Sequence, residues 1–451
     1  RMKLTILGGG GFRTPWVYRA LADDLAEPGV DEVVLYDIDS HRLGVVASIL
    51  AQVEGARRPR PTVTVSTDLD QAVEGADFVF AAVREGGLEG RQADEHVALD
   101  LNVLGQETTG PGGLAYGLRT VPVMQQFARR IRALAPDAWV MNFTNPAGMI
   151  TEAMQAILGD RVLGICDTPS GLGRRVAHLL DLPAAEVQMD YIGLNHLGWM
   201  RRIMYQGSDV LPELLADPKR TNALEEGAVF GPEWLQTLGA IPNEYLYYYY
   251  FNTDAVAAIR AAPETRGDFL ARTQPAFYDA VAADPSIAFE HWRTTIADRS
   301  ARYMAEAKAG KMDEVVGDPA SGSEHSGYAG VALGVMRAIS RNERHVMILN
   351  VRNGTTIPAL PADAVIEVPT MVDGNGVHPL ATATPEPYQL GLMSSVKAVE
   401  RLVISAATTG SIADARNAFA LHPLVGSVNT AEALLSGYRA AIPGVARLFR
   451  D

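Results

Sequence analysis

Apolar and polar positions alternate in two rhythms through the first 170 residues. Residues 3–7, 32–36, 62–66 and 78–83 are short runs rich in Leu, Ile, Val and Phe, bounded by turn-forming residues, and they read as strands. Residues 138–142 and 162–165 add two more, and the segments 16–25 and 149–158 have helical composition. Strands separated by helices predict a parallel sheet. From about His196 this rhythm weakens. Residues 269–307 read as helical with a break near Asp284-Pro285, residues 313–325 as a polar Gly/Ser-rich loop, and residues 327–339 as a helix. Residues 345–350 and 364–368 read as strands, with turns at Asn353-Gly354-Thr355 and Pro358 between them. Residues 392–409 and 411–421 read as amphipathic helices, and 429–438 as a last one.

The first strand runs into Gly8-Gly9-Gly10-Gly11-Phe12-Arg13-Thr14-Pro15, and the second ends in Asp37-Ile38-Asp39. Strand, glycine turn, helix, strand, acid is the order of a dinucleotide site. Gly8 and Gly10 let backbone N–H groups approach a pyrophosphate at a helix N-terminus. Asp37, 27 residues after Gly10, stands where an acid binds ribose hydroxyls and favours NAD over NADP. Arg13 replaces the third glycine of the pattern.

Length and charge narrow the field. A chain of 451 residues predicts two or three domains. The division expected is a Rossmann-like dinucleotide-binding domain over 1–195 and a mixed α/β substrate and oligomerisation domain over 196–451. There are 39 basic and 53 acidic residues, a net charge of -14, and only five of the basic residues are lysines. An acidic chain without a basic block is poorly suited to nucleic acid or an anionic membrane, although a local arginine pocket can still take an anionic small molecule. No apolar run is long enough for a membrane span, and the opening residues lack a secretory pattern, so a cytoplasmic location is expected. The single cysteine, Cys166, excludes an intramolecular disulfide.

Candidate chemistry gathers where strands end. One segment closes in Asn142-Phe143-Thr144-Asn145-Pro146 and another in Cys166-Asp167-Thr168-Pro169, while His196 lies in a glycine-flanked stretch that reads as a loop. A thiolate and an imidazole suit a borderline divalent ion, and two ligands leave open positions for substrate or water. The alternative for Cys166 is a small buried hydrophobe. Residues 84–95 and 105–113 are polar and glycine-rich and read as long loops; Arg84 and Arg91 there can grip a phosphate or carboxylate through planar donor forks. Five tyrosines fall within 245–250. On a helix Tyr245, Tyr248 and Tyr249 share a face, serving either as aromatic core or, beside a cation, as a source of one tyrosinate base.

Taken in order, Leu7 through Pro15, Gly105-Gln106-Glu107-Thr108 with Gly110, Asn142 through Gly148, Cys166 through Pro169, Asn195-His196, the Tyr245 cluster and Asn353-Gly354 resemble the family 4 glycoside hydrolases, NAD- and metal-dependent glycosidases, over essentially the whole length. The resemblance implies redox-assisted elimination. NAD+ takes hydride from C3 of the sugar, a base removes the C2 proton beside a divalent ion, typically Mn2+, the aglycone leaves C1, water adds and the hydride returns. It further implies Cys166 and His196 as metal ligands, Gly8, Gly10, Phe12, Arg13, Asp37 and Asn145 at the cofactor, and Arg84, Arg91, Glu107, Asn145 and Arg266 at the substrate. Tyr245 is the expected base, with Tyr249 as fallback. The opening stretch is most like the 6-phospho-β-glucosidase branch, whereas Asp167 after the metal cysteine resembles a general acid of the 6-phospho-α-glucosidase branch. The implied substrate is a phosphorylated disaccharide or glucoside, and the implied assembly a homodimer or homotetramer. Two other classes compete: a simple NAD-dependent dehydrogenase, which would accumulate NADH with product, and a non-catalytic nucleotide-binding protein.

Overall fold

A computed structural model describes residues 1–308 and 327–449. The loop expected over residues 313–325 lies outside the described residues. Among the described residues thirteen strands form one sheet: β1 (Met2–Leu7), β2 (Val30–Tyr36), β3 (Thr62–Ser66), β4 (Phe78–Ala81), β5 (Trp139–Asn142), β6 (Val162–Gly164), β7 (Gln188–Leu194), β8 (Leu197–Tyr205), β9 (Ser208–Asp209), β10 (Ile241–Pro242), β11 (His345–Arg352), β12 (Val365–Asp373) and β13 (Gly376–Pro379). Its first half, in the order β3-β2-β1-β4-β5-β6, is parallel throughout. This is the doubly wound order, whose ligand crevice opens where the strand order reverses, beside the carboxyl ends of β1 and β4.

Side chains alternate across the parallel strands and so build two cores. Leu4, Ile6, Val33, Leu35, Phe78 and Phe80 face one side, with helices Thr14–Asp23 and Ser40–Gln52 packed on it. Val34, Tyr36, Val79, Ala81 and Val140 face the other, under helices Pro111–Leu134 and Pro387–Thr409. Edge strand β3 is the exception, with mostly exposed positions.

Beyond β6 the sheet changes sense. The antiparallel β11–β12 hairpin pairs with β6 through Asn350 and Gly164, and with β7 through Glu367 and Gly193. β7 and β8 form a further hairpin whose two-residue turn is Asn195-His196. The boundary expected at 195/196 therefore falls in a hairpin turn, and the sheet runs through it.

Of the stretches read as long loops, 84–95 is helical from Gly87 onward, whereas 105–110 is a loop that runs into a helix at Pro111. Gly87–Asp100 is a helix carrying Arg91, and Pro111–Leu134 is the longest helix among the described residues. Their glycines serve close packing: a Cβ on Gly113 would lie 2.1 Å from the Thr108 carbonyl oxygen, and one on Gly90 would lie 2.9 Å from the Arg119 guanidinium. A fully buried bidentate pair, Arg119 to Asp94 at 2.6 and 2.8 Å, ties the two helices together. Breaking such a pair costs roughly 3–5 kcal/mol.

Candidate active site

The glycine turn is held from three sides. Gly8 has φ +79°, and a Cβ there would sit 2.2 Å from the Ala82 carbonyl oxygen, so only glycine fits. The amides of Gly8 and Gly9 donate to the Tyr36 carbonyl at 2.9 and 2.8 Å, and that of Gly10 donates to the Asp37 carboxylate at 3.1 Å. Asp37 thus lies against the turn as expected, its carboxyl raised by burial against the lowering from the Asp39 and Gly10 amides. Phe12 is not among the residues lining the cavities described below; its ring packs 4.7 Å from Phe277, and its carbonyl accepts from the Trp292 indole at 3.1 Å. It anchors the turn to helices Arg266–Ala283 and Ala288–Ala301, a packing the sequence does not disclose. Arg13 immediately precedes helix Thr14–Asp23, with its guanidinium 4.1 Å over the Phe143 ring.

Two adjoining cavities open beyond this turn. The first, about 570 Å³, is lined by Cys166, Asp167, His196, Glu244, Tyr245 and Tyr328 among others. The second, about 580 Å³, is lined by Arg84, Arg91, Glu107, Arg266, Arg299 and Arg302 among others. Arg13, Asn145, Tyr245 and Tyr303 line both. The expected metal, base, acid and substrate residues therefore meet at one place, except Tyr249.

In the first cavity, Cys166 lies just before helix Thr168–Leu179, buried and close to the Thr168 amide and hydroxyl, which favour the thiolate. Without a cation, burial and the nearby Glu367 and Asp167 carboxylates hold the thiol well above its usual range. His196 occupies the left-handed region at φ 61°. That conformation costs a non-glycine residue about 1–2 kcal/mol. Its ring stacks on Tyr245 at 3.6 Å and 5°, and its Nδ1 lies 2.9 Å from the Thr108 hydroxyl. A stacked pair and a hydrogen bond contribute about 1 kcal/mol each, enough to offset the strain. Burial lowers the His196 pKa to about 4 despite Glu107, leaving the imidazole neutral. Burial also raises the Asp167 carboxyl, opposed by Arg13 and then by Arg174 and Arg175.

Tyr245 lies in a 3-10 turn, Glu244–Leu246, that precedes a short helix, Tyr247–Tyr250. The change of helix type breaks the face expected to unite Tyr245, Tyr248 and Tyr249. The Tyr245 hydroxyl accepts from Tyr303 at 2.6 Å. Burial, then the Glu244 charge, holds it well above the usual phenol range, so a base at this position needs a cation beside it. Tyr249 instead faces a pocket of about 40 Å³ behind His196, with Glu400 and His422. Unlike Tyr245, the fallback Tyr249 lines neither of the two larger cavities.

The second cavity is an arginine enclosure. Glu107 is shared by Arg84, at 2.9 Å, and Arg91. Burial pushes its carboxyl up, but Arg84, Arg91 and Arg13 outweigh that and hold it at about 2. Arg266 donates to the Arg299 carbonyl at 3.0 Å, and burial with repulsion from Arg91 lowers its pKa. Arg299, absent from the sequence-based candidates, stands out most. Burial and the charges of Arg266, Arg84 and Arg13 pull it down to about 9, and its Nη1 is a buried donor without an acceptor, as is the Nη1 of Arg84. No carboxylate ion pair among the described residues involves Arg13, Arg266 or Arg299. Three guanidinium groups at this wall thus stand without a carboxylate at ion-pair distance among the described residues.

The donor set fits a catalytic rather than a structural ion. Among the described residues no three His, Cys, Asp or Glu side chains are grouped to enclose a metal. Cys166 and His196 line one cavity and leave positions for sugar oxygens. No helix among the described residues is long and apolar enough to cross a membrane.

Comparison with known proteins agrees with this geometry. The family pattern described as "Family 4 glycosyl hydrolase" matches residues 3–182, and "Family 4 glycosyl hydrolase C-terminal domain" matches residues 191–425. A probable 6-phospho-beta-glucosidase of Bacillus subtilis (strain 168) is 30% identical over 446 residues, covering 96% of this chain and 95% of that protein. A maltose-6'-phosphate glucosidase of the same organism is 30% identical over 420 residues, covering 89% and 87%. The structure of the 6-phospho-beta glucosidase from Thermotoga maritima with manganese, NAD+ and glucose-6-phosphate superposes with a TM-score of 0.81 at 29% identity, covering 98% of both chains.

Proposed function

Because the chain belongs to family 4 of the glycosyl hydrolases, an NAD- and Mn2+-using family of phospho-glycosidases, we propose that it is a 6-phospho-β-glucosidase working by oxidation, elimination, hydration and re-reduction. The observation that carries this reading is the junction itself: Cys166, His196, Asp167 and Tyr245 line one cavity, and through Arg13, Asn145 and Tyr245 it adjoins the arginine enclosure.

When bound, NAD+ supplies a reversible hydride acceptor for sugar C3, and a divalent ion supplies the positive charge that acidifies the C2 proton. Cys166 and His196 hold the ion, the thiol losing its proton on binding. Asp37 and the glycine turn would receive the dinucleotide, the turn by its lack of side chains, since the Gly8, Gly9 and Gly10 amides are bonded to Tyr36 and Asp37. Tyr245 accepts the C2 proton, and Tyr303 orients its oxygen by the 2.6 Å hydrogen bond. Arg13, Arg84 and Arg299 take the 6-phosphate, whose oxygens suit their planar forks and the unpartnered Nη1 groups of Arg84 and Arg299. Glu107 and Arg91, locked to each other, present a carboxylate oxygen and guanidinium donors to sugar hydroxyls. Asn145, at the wall shared by both cavities, reaches sugar and cofactor.

A second reading, 6-phospho-α-glucosidase, is favoured by Asp167, whose buried, raised carboxyl suits an acid for the leaving oxygen. Four chromogenic glucosides decide between them: α and β, each with and without a 6-phosphate, assayed with NAD+ and Mn2+ under reducing conditions and again with each omitted. Turnover of the 6-phospho-β compound alone, lost without either cofactor, is the expected result. Turnover of the α compound moves the assignment to the second reading. Turnover of neither phosphorylated compound by fully loaded protein contradicts both.

A further inference from the structure

The geometry points to Thr108, oriented by Gln106, as the positioning residue that fixes the tautomer of His196 and so aims a free Nε2 lone pair at the divalent ion. This rests on the assignment of His196 as a metal ligand and adds a residue that assignment does not contain.

The argument is one of donors and acceptors. The Gln106 side-chain oxygen accepts the backbone N–H groups of Thr108 and Thr109, each at 2.7 Å. Two N–H donors converging on one atom require it to be the carbonyl oxygen and not the amide nitrogen, which sets the orientation of the Gln106 side chain. That oxygen has only acceptor capacity, and the Thr108 hydroxyl lies 3.3 Å from it. That oxygen already accepts two shorter N–H bonds, so the hydroxyl can turn its one proton to Gln106 or to His196 Nδ1, at 2.9 Å. Turned to Gln106, it presents a lone pair to Nδ1, and both the hydroxyl and the ring N–H then have an acceptor. That arrangement puts the ring proton on Nδ1 and leaves Nε2 unprotonated, whereas the opposite one leaves an Nε2–H with no acceptor among the described residues. No hydrogen bond from Nε2 is present among the described residues, and the His196 ring borders the Cys166 cavity. Rotation of the ring is opposed by the parallel stack on Tyr245 at 3.6 Å.

The placement of Thr108 is itself enforced. Gly113 packs so closely on the Thr108 backbone that a Cβ there would fall 2.5 Å from its carbonyl carbon. The N-terminus of helix Pro111–Leu134 thus fixes the residue that fixes the histidine. Metal-bound histidines commonly donate their other ring N–H to such a partner, and loss of the partner typically weakens the metal by about 10- to 100-fold.

The test compares wild-type, Thr108→Val and Thr108→Ser proteins loaded with NAD+. Valine keeps the shape and removes the acceptor; serine restores it. Mn2+ affinity is read by electron paramagnetic resonance of the free ion, and the His196 tautomer by 15N NMR of histidine-labelled, metal-free protein, with thermal midpoints as a fold control. The expected result is an Nδ1-protonated His196 in wild type and Thr108→Ser, with Mn2+ bound about 10- to 100-fold more weakly by Thr108→Val. Unchanged Mn2+ affinity in a folded Thr108→Val protein, or an Nε2-protonated ring in wild type, overturns the inference. A wild-type protein with an Nδ1-protonated His196 and no Mn2+ affinity contradicts the metal assignment and leaves the tautomer device standing.

Discussion

The two cavities that meet at Tyr245 are built from opposite materials. Around Cys166 the walls carry a thiol, an imidazole, carboxyls and phenols beside Arg13, Arg174 and Arg175, and burial pushes Cys166, Asp167, His196 and Tyr245 towards their neutral forms. Around Arg299 the walls carry guanidinium groups that cannot be neutralised so easily, and one carboxylate, Glu107, is held ionised by three of them. The donors of the first cavity suit a divalent cation, and the guanidinium groups of the second suit an anion. The lesson is a division of labour: bond-breaking belongs where a cation would reverse the protonation states, and recognition belongs where a dianionic phosphate would complete a set of donors.

This contrast can be broken from either side. The largest effect is expected from Tyr245→Phe, which removes the proposed base and should lower kcat by roughly 10²- to 10⁴-fold while Mn2+ and glucose-6-phosphate affinities stay near wild type. Steady-state rates together with equilibrium titrations check it. Cys166→Ser should weaken Mn2+ by at least the 10- to 100-fold typical of losing even an outer partner, roughly, with NAD+ binding retained. Fluorescence titration of NAD+ beside Mn2+ titration separates the two. On the other side, Arg299→Met should raise KM for a phosphorylated glucoside by about 10-fold or more, the worth of a charged hydrogen bond, and leave kcat within a few-fold. Loss of kcat with unchanged KM would place Arg299 in the wrong cavity.

A pH experiment sharpens the same division. The Glu107 carboxyl is held at about 2 in the folded protein, below the ordinary 4.5. A depressed folded pKa contributes stability that is fully present above the unfolded value and is lost as pH falls towards the folded one. The difference in thermal midpoint between wild type and Glu107→Gln should therefore be constant above pH 5 and shrink between about pH 4.5 and pH 2. The smallest effect is expected from Tyr249→Phe, whose ring faces the pocket behind His196. Its kcat should stay within about 3-fold of wild type, since no reacting atom touches it.

Legibility in the sequence followed the same line. The parallel strands were readable because turn residues bracket short apolar runs, and β3 matched the expectation at both ends. The β7–β8 hairpin was not, because 191–194 and 197–200 are buried at every position, and without alternation an apolar run does not declare its partner. Glycines misled at 87–95 and 111–113, where they mark close approach of packed helices instead of a loop, while 105–110 is a loop as read. Cys166, His196, Asn145 and Tyr245 were found through motif order, which places them at strand ends and turns. Arg299 carried no such signal. It sits in a helix with ordinary surface composition, Asp298-Arg299-Ser300-Ala301-Arg302, and only the packing of that helix over the glycine turn turns it inward. Trp292 of the same helix donates its indole N–H to the Phe12 carbonyl at 3.1 Å and so ties that helix to the glycine turn.

The central claim is that Tyr245 removes a proton from sugar C2 before the aglycone departs. The direct measurement is hydrolysis of a 6-phospho-β-glucoside in D2O with NAD+ and Mn2+, followed by mass and NMR analysis of the released glucose-6-phosphate. Elimination and hydration predict one deuterium at C2 in every product molecule, and none when glucose-6-phosphate is incubated with Tyr245→Phe. Complete hydrolysis with C2 still carrying its original proton would contradict the account, because direct displacement at C1 never opens that bond.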